Sequence, residues 1–434
     1  MNENKNILVF CDGFNAPSYN PRVRYFCDFF LKKDWEISIV AEKFEDEKLI
    51  PKKAKILTLP YYKHKTGFLS KIEWFFKFVI NLCFDHKGTF FYKKTINFIE
   101  NKKIDLVLCS AFYSFPLTTA SKTADYLNVP LIVDMRDMPE QVPNNNHLIQ
   151  HKIPPIFGKS ISKLYQKRHL SRRNKVLKSA VHITTISAWH ANLLKKYNDN
   201  ISLIFNGFDE NIFIPDVQKT EHFVISFFGR FYDEKLRNPS IFFSALKNLE
   251  KKQEINTKNI VVQWFVDEKT KKIVSQYAEK LDVLKFMQFK NLISPEKVPL
   301  AMNKSSILLL VENDENQKAY GIFGTKIFEY IGVNRPVLCT PDNKGNLAEI
   351  LKEIDCGLVS SDATEIENFV LEKYAEWQKN GFTKGTVSEE NRKNFSRKNG
   401  AEILEKILLE QRTKTASLKE QRQVCVNFNR KSKI

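Results

Sequence analysis

A glycine-containing loop that leads into a short helix, in segment 320–338, contains the residues best suited to bind an anion. Gly321 and Gly324 precede a predicted helix from about 325 to 331. The first N–H groups of a helix have no partner within it, and together with the helix dipole they favour a phosphate. Lys326, in the first turn, adds a full positive charge. The pattern therefore predicts a site for a diphosphate.

Glu329 follows Lys326 by three residues and so lies on the same face of the predicted helix. A carboxylate at that place can accept two hydrogen bonds from hydroxyl groups, such as those of a ribose. An anion site and a diol acceptor about one helical turn apart suit a nucleoside diphosphate. The alternative is that the lysine and the glutamate form an ordinary solvated ion pair, and this segment alone leaves both interpretations open.

Apolar runs that alternate with helical patterns must position these residues. The first half has such runs at 7–10, 37–40, 106–109 and 131–133, and a second series begins at 223. This alternation predicts an α/β protein with parallel sheets covered on both faces. Ligands bind at the carboxyl ends of strands in such sheets, so we expect the site in a cleft that two domains share.

The length of 434 residues is sufficient for two domains. The turn Asn206-Gly207 and the polar stretch after Pro215 place the boundary between about 205 and 222. We expect an N-terminal domain at 1–210, a C-terminal domain at 211–411, and a basic, flexible tail at 412–434.

The composition excludes several classes of protein. Hydrophobic residues make up 43% of the chain, which excludes disorder of the bulk, and 14 glycines exclude a collagen-like chain. The seven cysteines are scattered without a CxxC motif, so neither a zinc knuckle nor a disulfide framework is indicated. The first residues lack a signal-peptide pattern, and we expect a cytoplasmic location.

Five segments, in chain order, resemble one enzyme family. They are the loop 15–24, Asp134-Met135-Arg136-Asp137, Asn206-Gly207-Phe208-Asp209 with Phe213 and Pro215, segment 228–232 with 237–239, and segment 321–338 with 346–358. Together they cover most of residues 6–410 and resemble the retaining GT-B glycosyltransferases, specifically the large family four. The resemblance implies two Rossmann-like domains whose parallel sheets face an interdomain cleft.

The resemblance also implies roles where positions match. Glu329 corresponds to the second glutamate of the family's E-x7-E element, which contacts the ribose, and Lys326 with Arg230 or Arg237 would bind the diphosphate. The implied donor-binding set is Gly229, Gly321, Ile322, Phe323, Gly324, Thr325, Lys326 and Glu329. The acceptor side would comprise Gly13, Arg136 and Asp137, and the implied catalytic set is Lys326, Arg230, Arg237 and Asp137.

One position departs from the family pattern. Gly321 stands where relatives have the first glutamate, which holds hydroxyl groups of the donor sugar. This departure puts the identity of the sugar in doubt, although Glu312, Asp314 and Glu315 lie shortly before and could supply a carboxylate or form a solvated turn. No Asp-x-Asp metal motif stands out in the cleft segments, so we expect neither a metal nor another cofactor.

The charge of the chain points to an anionic partner. The formal net charge is +18, and segment 141–198 has eleven lysines and arginines but no aspartate or glutamate. Their spacing predicts a basic amphipathic helix that can dock on an anionic bilayer. Nucleic acid is the rival partner, but the aromatic residues cluster in apolar runs and form no stacking platforms, so we expect no nucleic-acid binding.

A second apolar segment, 72–84, is too short and too interrupted by Lys77 and Asn81 to cross a bilayer. It could insert into the interface of a membrane, or it could be buried in the core of its own domain. The membrane interpretation would suit an enzyme with a lipid-linked acceptor on the inner face of the plasma membrane.

These observations predict a metal-independent, retaining glycosyltransferase that moves a sugar from a nucleotide donor to a glycan or lipid-linked acceptor. The resemblance and the basic surface favour a role in building a cell-surface polysaccharide. Two alternatives remain open: a nucleotide-sugar isomerase or epimerase of the same fold, and a non-catalytic binding protein that has lost the sugar pocket.

Overall fold

The computed structural model describes residues 5–12, 21–43, 51, 53–64, 66–112, 114–136, 138, 140, 155–231, 237–312 and 324–431. The chain divides into two compact units. The first unit comprises residues 1–204 and 401–434, and the second comprises residues 205–400. The second unit thus begins at the lower limit of the predicted boundary region, whereas it ends at residue 400 and not at 411.

The first unit contains a sheet of seven parallel strands in the order β3-β2-β1-β4-β5-β6-β7. The strands are β1 (Lys5–Cys11), β2 (Trp35–Glu42), β3 (Lys55–Leu59), β4 (Leu106–Ala111), β5 (Leu131–Met135), β6 (His182–Thr185) and β7 (Ile201–Leu203). Successive residues of β1 enter two different core clusters, with Leu8 and Phe10 on one face and Ile7 and Val9 on the other. A strand buried on both faces needs apolar residues throughout, which explains the uninterrupted apolar run.

Six helices connect these strands. They are α1 (Pro21–Leu31), α2 (Gly67–Phe84), α3 (His86–Ile99), α4 (Ser114–Leu127), α5 (Pro155–Ser179) and α6 (Ala188–Leu194). The helix predicted in the basic segment is present as α5, but its apolar residues are not gathered on one face, so the prediction of an amphipathic helix is wrong. Ser187 caps α6, since its side chain accepts a hydrogen bond from the N–H of His190.

The second unit repeats the plan with six parallel strands in the order β10-β9-β8-β11-β12-β13. The strands are β8 (Phe223–Phe228), β9 (Ile260–Phe265), β10 (Met287–Lys290), β11 (Ile307–Val311), β12 (Val337–Thr340) and β13 (Gly357–Val359). The helices are α7 (Ser240–Lys251), α8 (Glu268–Lys280), α9 (Val298–Asn303), α10 (Thr325–Val333), α11 (Asn346–Glu353), α12 (Ala363–Asn380) and α13 (Glu389–Asn394). Short 3-10 helices cover 257–259, 284–286 and 295–297. The predicted α/β class with parallel sheets is confirmed.

The order of strands reverses once in each sheet, between β1 and β4 and between β8 and β11. Loops that leave two adjacent strands in opposite directions at such a point form a crevice at the carboxyl edge of the sheet. In the second unit the loop after β8 leads to Arg230, and the connection after β11 leads to α10. The topology therefore brings two of the predicted donor-binding segments to the same edge of the same sheet.

The last helix, α14 (Arg397–Lys431), belongs largely to the first unit. Ala401, Leu404 and Leu408 are buried in the cluster that contains one face of β1. The indole N–H of Trp35 donates a hydrogen bond of 3.0 Å to the carboxylate of Glu405. Residues 412–431, which we predicted to be a flexible tail, instead continue this helix without a break.

Candidate functional site

Helix α10 begins at Thr325 as predicted, after Gly324 in an extended conformation. Gly324 has no side chain to cap the helix, so it does not occupy the N–H groups of the first turn. The opposite end stops at Asn334, which adopts the left-handed conformation that ends many helices. Most residues from Ile327 to Val333 are buried, which fixes the helix firmly on its sheet.

Lys326 and Glu329 lie on the exposed side of α10 and contact each other. The Nζ atom of Lys326 lies 2.7 Å from Oε2 of Glu329. The lysine side chain is 34% exposed and the glutamate side chain 12%. The predicted shared face is confirmed, and so is the ion pair that we considered as the alternative interpretation. A ligand would therefore meet two residues that already lie together.

The Asn206-Gly207-Phe208 segment anchors the last turn of α10. Phe208 is buried against Gly332, where an added Cβ atom would lie only 2.7 Å from the Phe208 ring. The backbone of Phe208 pairs with the segment before α14, since its N–H donates to the carbonyl of Phe395. Arg392 donates two hydrogen bonds to the carbonyl of Gly332. These contacts fix the position of the last turn of α10.

Arg230 and Arg237 flank the loop after β8. The guanidinium of Arg230 lies 3.3 Å from the carboxylate of Asp267, and Arg237 donates a hydrogen bond of 3.1 Å to the carbonyl of Arg230. Asp267 also caps α8 by accepting from the N–H of Thr270. Hydrogen bonding from Thr270, with a smaller effect from Arg230, holds the pKa of Asp267 below its usual range. The ion pair with Asp267 thus holds the guanidinium of Arg230 near the carboxyl end of β8.

Charged residues of both α10 and the loop after β8 influence the pKa of Tyr330. Burial raises the pKa of its phenol, and the charge on Glu329 adds to the rise, whereas Arg237 opposes it. Both charges therefore lie within electrostatic range of the same buried hydroxyl, which donates to the carbonyl of Leu309 on β11.

Other predicted donor and acceptor residues lie outside the described part of the chain. These are Gly13, Asp137, Gly321, Ile322 and Phe323. Gly229 is described and has a φ of 149°, a conformation that favours glycine. Its N–H donates to the carbonyl of Phe265, which holds the end of β8 against β9.

On the acceptor side, Arg136 forms an ion pair with Asp12, and the two side chains lie 3.3 Å apart. Asp12 directly follows β1 and Arg136 directly follows β5, so both lie at the carboxyl edge of the first sheet. Burial raises the pKa of Asp12 to about 6, although Arg136 and Lys87 pull it down. The sequence-based interpretation missed Asp12, for which the signal was a carboxylate immediately after a buried strand.

Asp134, the first residue of the Asp-Met-Arg-Asp segment, has a structural role. It is buried and accepts hydrogen bonds from Arg22, Ser110 and Thr184. Burial alone would raise the pKa of Asp134, but Arg22 and these hydrogen bonds hold it below its usual range. The aspartate therefore ties α1 and three strands together beneath the acceptor-side edge.

Among the described residues, no group of three or more histidine, cysteine, aspartate or glutamate side chains could hold a metal ion. The expectation that the reaction needs no metal stays a prediction.

Comparison with known protein families matches the segment that contains the predicted donor-binding residues. Residues 208–397 match the model of the family described as glycosyl transferases group 1. The match includes the loop after β8, helix α10 and the contacts of Phe208. This segment is thus similar to the group 1 glycosyl transferases.

Solved structures extend the similarity from this segment to the fold of the whole chain. A glycosyltransferase from Rickettsia africae is 14% identical with a TM-score of 0.61, covering 94% of this chain and 98% of that one. Anabaena HepE, in complex with UDP and glucose, is 13% identical with a TM-score of 0.57 over 93% and 99% of the two chains. The lipopolysaccharide outer core galactosyltransferase WaaB is 11% identical with a TM-score of 0.53 over 92% and 99%. These likenesses confirm the predicted GT-B fold.

No curated protein sequence matches the chain significantly.

Proposed function

We propose that the protein transfers a sugar from a nucleotide-diphosphate donor to a glycan or lipid-linked acceptor, with retention at the anomeric carbon. The observation that carries the proposal is the position of Lys326 and Glu329 on α10, within the segment that matches the group 1 glycosyl transferases and at the edge where the strand order reverses. The UDP and glucose bound to HepE, a protein of the same fold, support a nucleotide-sugar donor.

The donor would bind with its diphosphate at the start of α10 and its ribose beside Glu329. The free N–H groups of the first turn and the ammonium of Lys326 would hold the phosphate oxygens, and Arg230 or Arg237 would add a guanidinium. Glu329 would accept hydrogen bonds from the ribose hydroxyls. Because Gly321 lacks the carboxylate that relatives use for sugar hydroxyls, the choice of sugar rests on other residues.

Catalysis would depend mainly on stabilising the leaving group. When the bond between the anomeric carbon and the diphosphate breaks, negative charge develops on the diphosphate. The helix amides, Lys326 and one arginine would surround that charge with positive groups that the fold already holds, which would lower the cost of arranging them during the reaction. This set of residues is the basis on which we propose a metal-independent reaction.

The acceptor would bind at the edge of the first sheet, where Arg136 and Asp137 follow β5. The ion pair of Arg136 with Asp12 places two charged side chains at that edge. WaaB, a lipopolysaccharide galactosyltransferase of the same fold, supports a role in cell-surface polysaccharide synthesis. We propose a cytoplasmic enzyme that works at the inner face of the plasma membrane, where a lipid-linked acceptor is available.

A panel of nucleotide sugars, incubated with and without membrane extract, tests this function. We expect release of nucleoside diphosphate that depends on the extract and that Lys326→Ala abolishes. Conversion of the nucleotide sugar without any acceptor would instead show an isomerase or epimerase. Binding of the donor without turnover would show a non-catalytic protein, and either result would overturn the proposal.

A further inference from the structure

Helix α2 turns its apolar face outward. None of its 18 residues is buried. Eight large apolar side chains are exposed: Phe68 (76%), Leu69 (59%), Ile72 (37%), Phe75 (56%), Phe76 (60%), Val79 (40%), Ile80 (40%) and Phe84 (79%). The alternative that this segment lies in the core of its domain is therefore wrong. We refer to these eight residues as the apolar face of α2.

Three polar residues of α2, Glu73, Lys77 and Asn81, face the protein. The carboxylate of Glu73 accepts hydrogen bonds from the N–H groups of Lys63 and His64. Lys77 pairs with Glu73 and donates to the carbonyl of Tyr61, and Asn81 accepts from the N–H of Lys87. This arrangement is the reverse of an ordinary surface helix, whose apolar stripe packs on the core.

Contacts with α5 fix the orientation of α2. The rings of Phe78 and Tyr165 are stacked with centroids 5.5 Å apart. Arg172 donates hydrogen bonds of 2.7 and 2.9 Å to the carbonyls of Asn81 and Leu82, which lie in the last turn of α2. The carbonyl of Asn81 also accepts a hydrogen bond from the N–H of Asp85, the residue that follows the helix, so Arg172 adds to the bonding at this end of α2. Turning the apolar face inward would break these bonds, so its exposure is built into the fold.

Exposed positive charge lies on α2 and on the elements next to it. Lys63 precedes α2, Lys71 lies on it, and both are exposed. The neighbouring helix α5 exposes five more cations: Lys163, Lys167, Arg168, Lys175 and Lys178. Glu73, the acidic residue of α2, is turned inward and is engaged with Lys77. The charges complement an anionic surface and would repel a second copy of the same face.

The dimensions of α2 exclude a membrane-spanning role for it. At 1.5 Å per residue, 18 residues are about 27 Å long, slightly short of a hydrocarbon core of about 30 Å. No described helix is long and apolar enough to cross a membrane. A helix with one apolar face and flanking cations instead lies in the plane of the interface, with its apolar side chains below the headgroups.

We propose that α2 is a membrane-docking helix, which inserts its apolar face into the surface of an anionic bilayer while cations of α5 contact the headgroups. The inference deepens the proposed function, whose acceptor is lipid-linked, by naming the surface that would meet the membrane. Its physical basis is independent of the donor site.

Flotation with lipid vesicles tests the apolar face. The full-length protein should bind vesicles of phosphatidylcholine with about one third phosphatidylglycerol. The double variant Phe75→Ser/Phe76→Ser should bind at least tenfold more weakly, because two exposed rings no longer enter the acyl region. Tyr126→Ser is the matched control, since Tyr126 is a 62% exposed aromatic residue on α4 of the same unit, and it should bind as the wild type does.

Charge reversal tests the cationic contribution. Lys167→Glu/Arg168→Glu/Lys175→Glu should weaken binding to the anionic vesicles by more than tenfold, and added salt should weaken binding of the wild type. The matched control is Lys258→Glu/Lys272→Glu/Lys379→Glu, a reversal of three exposed lysines in the second unit. It has the same net charge and should retain binding.

Three results would overturn the proposal: absence of vesicle binding, equal binding by the Phe75/Phe76 variant, and binding that ignores lipid charge and salt. A dimer in solution that the Phe75/Phe76 variant dissociates would also overturn it, in favour of a second copy as the occupant. Binding of nucleoside diphosphate is measured for every variant. If the α2 variants still bind nucleoside diphosphate, their loss of docking is separate from any failure of the proposed transferase function.

Discussion

The ammonium of Lys326 lies 2.7 Å from the carboxylate of Glu329, one turn further along α10. A pair that is partly open to solvent typically contributes about 0–1 kcal/mol. A diphosphate carries two or more negative charges and would compete effectively for the lysine, leaving the glutamate to accept from a ribose. The ion pair is thus compatible with a donor site, because separating it is inexpensive.

Replacement of Lys326 by alanine should weaken binding of a nucleoside diphosphate about 10- to 100-fold, because a charged hydrogen bond contributes roughly 1.5–3 kcal/mol. Binding of the corresponding nucleoside should change little. Calorimetry with both ligands measures the difference. Lys352→Ala is the matched control, since it also removes a lysine paired with a carboxylate, at 2.6 Å from Asp342. Equal losses for nucleoside and diphosphate would exclude a phosphate contact.

Glu329→Gln should weaken binding of the ribonucleotide about tenfold while affecting its 2′-deoxy analogue much less, because the deoxy sugar lacks one of the two hydroxyl donors. Competition binding with the two nucleotides provides the measurement. If the ratio of the affinities for the ribonucleotide and the deoxy analogue stayed as in the wild type, Glu329 would have no role in binding the ribose.

Gly332→Ala should destabilise the protein by about 1–3 kcal/mol, because the new methyl group would lie 2.7 Å from the buried Phe208 ring. Gly324→Ala is the matched control for stability, since its added Cβ atom has no neighbour within 4 Å. Chemical denaturation of both variants measures the change. A stable Gly332 variant would show that α10 can shift away from Phe208.

Acid should destabilise the first unit through His169. The Nδ1 atom of this buried histidine lies 2.5 Å from Oγ of Ser114, and burial lowers its pKa to about 3, with smaller contributions from Arg172 and Lys87. Between about pH 6.5 and 3 the unfolded state binds this proton and the folded state does not, so the free energy of unfolding falls as pH falls.

His169 alone can change the free energy of unfolding by at most about 1.4 kcal/mol per pH unit. Denaturation between pH 7 and pH 5 should show a smaller slope for His169→Gln than for the wild type. An identical slope would mean that His169 does not account for the acid sensitivity.

The proposed reaction should proceed without a divalent metal. Initial rates of nucleoside diphosphate release should be the same with excess EDTA as without it, since the developing charge is expected to meet Lys326, an arginine and helix amides. Loss of the activity in EDTA, with recovery on addition of Mg²⁺ or Mn²⁺, would contradict metal independence.

Local patterns in the sequence were sufficient for the class of fold and for α10. The alternation of apolar runs and helical segments determines parallel sheets, because a strand covered on both faces must be apolar throughout. The glycine-containing loop indicated the start of α10 near Thr325, and the shared face of Lys326 and Glu329 follows from helical geometry.

Features that depend on contacts between residues far apart in the sequence could be determined only from the tertiary structure. The return of α14 to the first unit depends on where Leu404 and Leu408 find a partner surface, and Asp12 acquires its environment only when β1 and β5 bring it to Arg136. Helix α2 is the clearest case. Its sequence shows an apolar face and a polar face, but polar contacts with residues such as Arg172, 90 or more positions away, decide which face meets the solvent.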